Sequence, residues 1–332
     1  MSAPATGSPT AAPIPALPML NSPRLQLRPP ITAVDRARFR SLLDSARARA
    51  DWHALPARAA RCWLIEAKFA SLLVGFVLLS SNAPRHRPQA WLWLRPEHRD
   101  QGYGSAALGL LHREFPRLRL DPAGEPRLAA WLMAQGGLRD RRAGWRLAQG
   151  QTPGRALPTE WQECIDACAL SLGVPADYAE RHRLAPVPEP ERLHYAGPDY
   201  LARSLWLRHD SAKAWIAMRA LAAGAGIQLE AVSGFRSIAY QAAIVRRKLG
   251  RGLGIDEILK VNTAPGYSEH HSGCALDIGT PGTPPAEECF EHTAAFAWLK
   301  RHAGQFGFRL SYPRDNPHGV VYEPWHWCRV GW

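Results

Sequence analysis

The chain has 332 residues, 46% of them hydrophobic and 21% charged, a composition that excludes a disordered, collagenous or coiled-coil protein and a length that suits about two domains. Forty-one Lys and Arg against 29 Asp and Glu leave a net charge of +12, but the excess is nearly all Arg and scattered, and no basic and aromatic stripe marks a nucleic-acid surface. Six cysteines with no C-x-x-C pair exclude a disulfide framework in a chain this long.

Residues 1–23, rich in Ala, Pro, Ser and Thr, predict a flexible tail. This stretch lacks the basic start and continuous apolar run of a secretory signal, and no window reaches the roughly 18 apolar residues of a spanning helix. The expectation is a cytoplasmic protein without a membrane span. Apolar residues at helical spacing predict a helix over 34–50. Residues 62–79 read as two strand-like runs, 91–94 as a short strand, and helix follows from Ser105. A Gly/Arg/Pro-rich stretch over 139–158 predicts a linker. Helical sequence resumes near Glu160, where Cys164 and Cys168 share a helix face and point to packing rather than to a metal. A Pro-rich connection covers 186–190, a helix 211–223 and a strand 227–232. With no internal repeat, the halves read as different domains: one over 24–149, a linker and helical lead-in over 150–192, and another over 193–332.

In the first half, Arg99-Asp100-Gln101-Gly102-Tyr103-Gly104 lies between the predicted strand and helix. A helix N-terminus offers unpaired N–H groups and partial positive charge, and glycines let a phosphate approach the backbone. A glycine pair alone is more often a tight turn. The run from Leu94 to Gly104, followed by Leu108 and preceded by Val74-Gly75-Phe76, resembles the acetyl-CoA loop of the GNAT N-acetyltransferases, R/Q-x-x-G-x-G/A. The resemblance covers about residues 24–149 and implies acetyl-CoA binding by Arg99, Gly102 and Gly104. Met133 stands where many members carry the proton-donating Tyr, which puts transfer in question and leaves open a domain that only positions or regulates its neighbour.

In the second half, His270 and Asp277 lie seven residues apart across a glycine, and Glu323-Pro324-Trp325-His326 adds a second His with an acid three residues before it. Two imidazoles, one carboxylate and an open position describe a catalytic zinc site, and a nearby carboxylate can take a proton from water. Most histidines bind nothing. His271 competes with its neighbour, Asp277 could pair with an arginine, and Glu323 could be a surface charge.

Three strings in order, Ser233-Gly234-Phe235-Arg236-Ser237 followed by Gln241, Ser268 to Asp277, and Glu323 to His326, resemble the M15 family of zinc D-Ala-D-Ala carboxypeptidases and dipeptidases, relatives of VanY and VanX. The resemblance covers about residues 193–332. Its register places His270, not His271, at a ligand position, and implies zinc held by His270, Asp277 and His326. It further implies Glu323 as general base, with Trp325 and Trp327 raising its proton affinity by desolvation. Arg236 would stabilise the oxyanion, and Ser268 and Gln241 would contact the peptide. The expected fold class is α+β in two domains: a GNAT-like mixed sheet, then an M15-type zinc domain, shared with hedgehog relatives, with an antiparallel sheet and helices. The implied activity is zinc-dependent D-alanyl-D-alanine carboxypeptidase action on a peptidoglycan stem peptide or muropeptide. The alternatives are acetyl-CoA-dependent N-acetyl transfer and a non-catalytic zinc-containing module that binds such peptides.

Overall fold

The computed structural model of the chain describes residues 18–23, 25–47, 59–68, 72–80, 88–99, 101–120, 137–140, 144–147 and 158–330. The N-terminal part supplies strands β1 (Met19–Asn21), β2 (Leu25–Arg28), β3 (Ala59–Ala67), β4 (Leu72–Ser80), β5 (Gln89–Leu94), β6 (Arg119–Leu120), β7 (Gly137–Asp140) and β8 (Gly144–Leu147), with helices α1 (Ala33–Arg47) and α2 (Tyr103–Glu114). Strands β3 to β5 are near-continuous apolar runs, as befits strands covered on both faces. Along β3 and β5 the faces alternate. Trp63, Ile65, Ala90 and Leu92 pack with Leu108 and Leu111 of α2, while Leu64, Trp91 and Trp93 pack with Leu42 and Ala46 of α1. Strand β5 pairs with β6 in parallel only at Gln89 and Ala90, and the neighbouring pairs in this part are antiparallel.

The tail predicted over 1–23 ends earlier than expected. Met19 and Leu20 are buried, and β1 pairs with both β2 and β9 (Arg192–Pro198). Their apolar side chains need the cover that β9 supplies, which the Pro-rich composition around them conceals. Strand β9 then pairs with β10 (Ser204–Leu207), so the described residues form one sheet in the order β10-β9-β1-β2-β3-β4-β5-β6-β8-β7. The boundary expected at 193 therefore falls inside a strand. The expected linker over 139–158 begins instead with β7 and β8, and ends at α3 (Pro158–Ser171).

After α4 (Tyr178–Arg181) and β9–β10 come α5 (His209–Gly224), β11 (Glu230–Ser233), α6 (Ile238–Leu249), α7 (Ile255–Val261), β12 (Ala275–Gly279), α8 (Ala294–His302), β13 (Phe308–Leu310) and β14 (His326–Arg329). The last four strands make the expected antiparallel sheet, in the order β11-β12-β14-β13. One face of it packs Ala231, Leu276, Ile278, Phe308 and Trp327 against Trp215 and Met218 of α5 and Phe296 and Leu299 of α8. Helix α3 packs on α6 through Trp161, Ile165, Cys168, Ala242 and Val245; Cys168 is a core residue, as its spacing suggested. Among the described residues no helix is long and apolar enough to cross a membrane.

Phe76 is fully buried between Phe39, edge-on at 5.7 Å, and Trp93, stacked at 5.3 Å. Phe76→Ala is expected to cost about 3–5 kcal/mol, read as a lower denaturation midpoint.

Candidate metal centre and cleft

The second sheet brings distant residues together through its register. Asp277 on the central strand β12 lies directly opposite His326 on β14 and opposite Ser233 on β11. Directly opposed residues bring their Cβ atoms within about 5 Å, so two residues 49 apart in sequence become neighbours. His270 arrives on a one-turn 3-10 helix, Glu269–Ser272, closed by Gly273 at φ +70°, a backbone conformation that suits glycine. There an added Cβ would lie 2.8 Å from Leu193 and 3.1 Å from the Arg208 backbone nitrogen.

His270, Asp277 and His326 offer donor atoms within 4.8 Å of one another, and all three are buried. The Nδ1 of His270 donates to the Gly234 carbonyl at 2.7 Å, which leaves Nε2 facing Asp277 Oδ2 at 3.2 Å. His326 Nδ1 lies 3.1 Å from Asp277 Oδ1, and its Nε2 donates to Glu269 Oε2 at 2.9 Å. Burial works against charge on His326, but the bonds to Asp277 and Glu269 outweigh it and push its pKa up to about 10. Burial alone would raise Glu269, yet its bond to His326 and that ring's charge hold it down at about 2. Asp277 likewise stays far below the usual carboxylate range despite burial, because His270 and His326 face it. Asp277 and Glu269 thus place two carboxylates against the His326 ring. A divalent cation suits the same charges, and the set of two imidazoles and one carboxylate, each oriented by an outer partner, fits such an ion.

His271 is spent elsewhere. Its Nε2 accepts from the Gly266 amide at 3.0 Å and its Nδ1 donates to the Arg236 carbonyl at 2.6 Å, and burial lowers its pKa to about 3. A neutral, doubly bonded ring here holds the Arg236 backbone.

The cleft beside these three residues is lined also by Arg236, Gln241, Val261, Asn262, Thr263, Ser268, Ala286, Tyr312, Val321, Glu323 and Trp325. Arg236 donates through Nη1 to Gln241 Oε1 at 2.9 Å and through Nη2 to Ser233 Oγ at 3.2 Å, with Asp277 Oδ2 3.5 Å away. Gln241 is itself anchored by donating to the Thr263 carbonyl at 2.8 Å. Glu323 follows a loop whose Tyr312 carbonyl accepts its amide at 3.0 Å, and its Oε2 sits 3.8 Å from His326 Nδ1. Burial, with the charges of Asp277 and Glu269 adding, pushes Glu323 up to about 7 against the pull of His326 and Arg236. The structure thus gathers Arg236, Gln241, Ser268, His270, Asp277, Glu323 and His326 in one cleft.

Trp325 lines that cleft, but Trp327 does not. Successive strand residues point to opposite faces, so Trp327 lies in the core against Phe296 and donates to the Pro324 carbonyl. Arg99, Gly102 and Gly104 stand apart in the N-terminal part, between β5 and the first turn of α2. Arg99 donates to the Leu94 carbonyl at 3.2 Å, Gly102 at φ +78° begins α2, and Gly104 is buried in its first turn. Met133 lies outside the described residues. The sequence did not single out Glu269, whose neighbour His270 gives no sign of which way an acid beside it turns, or Tyr312, whose ring lies 4.8 Å from that of His326 and comes from a loop without periodicity.

Substituting Asp277 or His326 by Ala is expected to abolish tight binding of a divalent transition metal. Glu269→Ala weakens it about 10–100-fold by freeing the His326 ring, read by competition with a chromophoric chelator.

Residues 204–332 match the model of the VanY family, described as D-alanyl-D-alanine carboxypeptidase. The YodJ protein of Bacillus subtilis (strain 168) is 33% identical over 129 residues, which cover 38% of this chain and 47% of that protein. A bifunctional D-Ala-D-Ala dipeptidase and D-Ala-D-Ala carboxypeptidase of Enterococcus gallinarum is 28% identical over 157 residues, 46% of this chain and 80% of that enzyme. The chain thus spans about half the length of the first of these relatives. A Vibrio cholerae structure described as a ribosomal-protein-serine acetyltransferase is 20% identical, with a TM-score of 0.29, over 37% of this chain and 84% of that one.

Proposed function

Starting from a chain whose residues 204–332 belong to the VanY family of D-alanyl-D-alanine carboxypeptidases, we propose that the cleft hydrolyses the terminal peptide bond of a peptidoglycan stem peptide and releases D-alanine. The observation that carries this reading is a carboxyl group outside the donor set. Glu323 lies in the same cleft as the three clustered donors, with a pKa at about 7, where it can both accept and return a proton near neutral pH. The cleft of about 270 Å³ falls slightly below the roughly 300–1,000 Å³ of drug-sized pockets, which suits a chain end of one or two small residues.

Zinc held by His270, Asp277 and His326 would polarise the scissile carbonyl and the attacking water. Glu323 takes the proton from that water as its oxygen attacks the carbonyl carbon. The guanidinium of Arg236, fixed by Gln241 and Ser233, donates to the oxygen on which negative charge develops. Glu323 then passes its proton to the amide nitrogen as the C–N bond breaks, leaving a new carboxylate and free D-alanine. Ser268, buried at the cleft wall, is placed to meet the peptide backbone.

Mass spectrometry of a muramyl pentapeptide incubated with zinc-loaded protein tests this reading. Loss of one alanine is expected with the native chain and not with Glu323→Ala; an unchanged peptide with zinc bound overturns it. Arg236→Ala is expected to lower kcat by on the order of 10²-fold. The acid limb of kcat/KM is expected no higher than about pH 7, because the carboxylate form of Glu323 is the active one and forms as pH rises through its pKa. Glu323→Gln removes that limb along with the activity.

A second reading concerns the N-terminal unit, favoured by the left-handed Gly102 that starts α2 shortly after β5. Acetyl-CoA would bind there, its pyrophosphate on the first amides of α2. Calorimetric titration is expected to show saturable acetyl-CoA binding that Gly102→Trp abolishes, and heats that do not saturate sink the reading.

A further inference from the structure

The buried ion pair between Lys68 and Glu189 joins the two halves of the chain, and neither side chain is used by the chemistry proposed above. Their side chains are 2% and 0% exposed and 2.5 Å apart. An unpaired charge so deeply buried would be costly, and Glu189 is satisfied from two directions. From the N-terminal sheet, Lys68 Nζ and Asn21 Nδ2 donate to its Oε2, the latter at 2.8 Å. From the other side, the amide of Ile238 donates to Oε1 at 2.8 Å. Lys68 is held in turn by the Ser22 carbonyl at 2.9 Å and lies 5.2 Å from the centre of the Trp161 ring.

Ile238 is the first residue of α6, where an amide has no partner inside the helix and a negative charge is favoured. The Ser237 hydroxyl serves only the Tyr240 amide, so Glu189 supplies the partner for Ile238. Arg236 stands two residues earlier, and Gln241, which holds its guanidinium, lies in the first turn of the same helix. The segment that carries Glu189 also binds the other side of the cleft, since the Val187 amide donates to the Gly266 carbonyl at 2.7 Å, just before Ser268 and His270. Strand β1 holds this segment by its other end, with the Asn21 amide on the Glu191 carbonyl at 2.8 Å.

We propose that Glu189 is a positioning residue for Arg236, with Lys68 serving to neutralise its buried charge: the segment held against the N-terminal sheet fixes the start of α6 through the Glu189 side-chain oxygen, and so fixes the guanidinium in the cleft. This rests on the peptidase reading for its catalytic consequence but not for its structural one. The N-terminal half is then part of the foundation of the second cleft, whatever it binds itself.

Two double variants isolate the bond to Ile238. Lys68→Met with Glu189→Gln and Lys68→Met with Glu189→Met both remove the ion pair with near-isosteric side chains, but only glutamine keeps an oxygen for the Ile238 amide. The Gln variant is expected to keep kcat/KM close to native. The Met variant is expected to lose on the order of 10- to 100-fold, the scale of a small misplacement at a catalytic group, mainly in kcat, with chelator-measured metal affinity unchanged. Hydrogen exchange of the 236–241 amides is expected to quicken in the Met variant alone. Equal kcat/KM and equal exchange in the two variants overturn the proposal, as does a Met variant whose only change is a lower Tm. If the native chain cleaves no stem peptide, the peptidase reading fails and the exchange comparison still decides the positioning role. Should the Met variant not fold, Asn21→Ala, which removes one donor to Glu189, is expected to give the same exchange signature and a fall in kcat in milder form; native behaviour there counts against the proposal.

Discussion

The pairing of Asp277 with His326 across two antiparallel strands is the constraint on which the cleft depends. A slip of one residue would turn every side chain of β14 to the other face, burying His326 among phenylalanines and swinging Trp327 into the polar side. The apolar face prevents this. Leu276, Ile278 and Trp327 interlock with α5 and α8, so a one-residue slip exposes a large aromatic surface and buries an imidazole without a partner. The hydrophobic core behind the sheet thereby sets the geometry of the polar face in front of it, and a precise site is obtained from a non-directional force.

Three carboxylates share this small volume, and their surroundings separate their duties. Asp277 faces two imidazoles and lies near a guanidinium, so it stays ionised. Glu269 is the acceptor for the far nitrogen of His326 and orients that ring. Glu323 has the largest share of burial without a close cation, its nearest being His326 at 3.8 Å, and its proton affinity rises. Acidic groups whose surroundings push their pKa values apart are how one site carries out both structural and proton-transfer work.

Much of the cleft was legible in the sequence because the motifs are local strings: Ser233 to Ser237, Ser268 to Asp277 and Glu323 to His326 each span one turn and its adjoining element. What was not legible came from packing. The outcome for Trp327 depends on strand parity at a position where only the register of β14 decides the face. The ring of His271 is consumed by two backbone groups, Gly266 and Arg236, which no spacing rule reveals. Glu269 is a charged residue like any other until the topology lays it beside a strand 57 positions away. Strand β1 was missed because three residues within an Ala- and Pro-rich stretch carry almost no periodic signal, and only their pairing with β9 gives them structure.

That three-residue strand bears on how the molecule can be divided. Because β1 stands between β2 and β9, cutting the chain between its halves would leave two open edges, one on each piece, with rows of unpaired amides and carbonyls ready to recruit other chains. Lys68 and Glu189 would be left on opposite pieces as solitary charges in apolar surroundings. Expressed separately, the halves would be prone to aggregate rather than to behave as modules. The joining of the two halves is in this sense irreversible: each has given up a finished surface to the other.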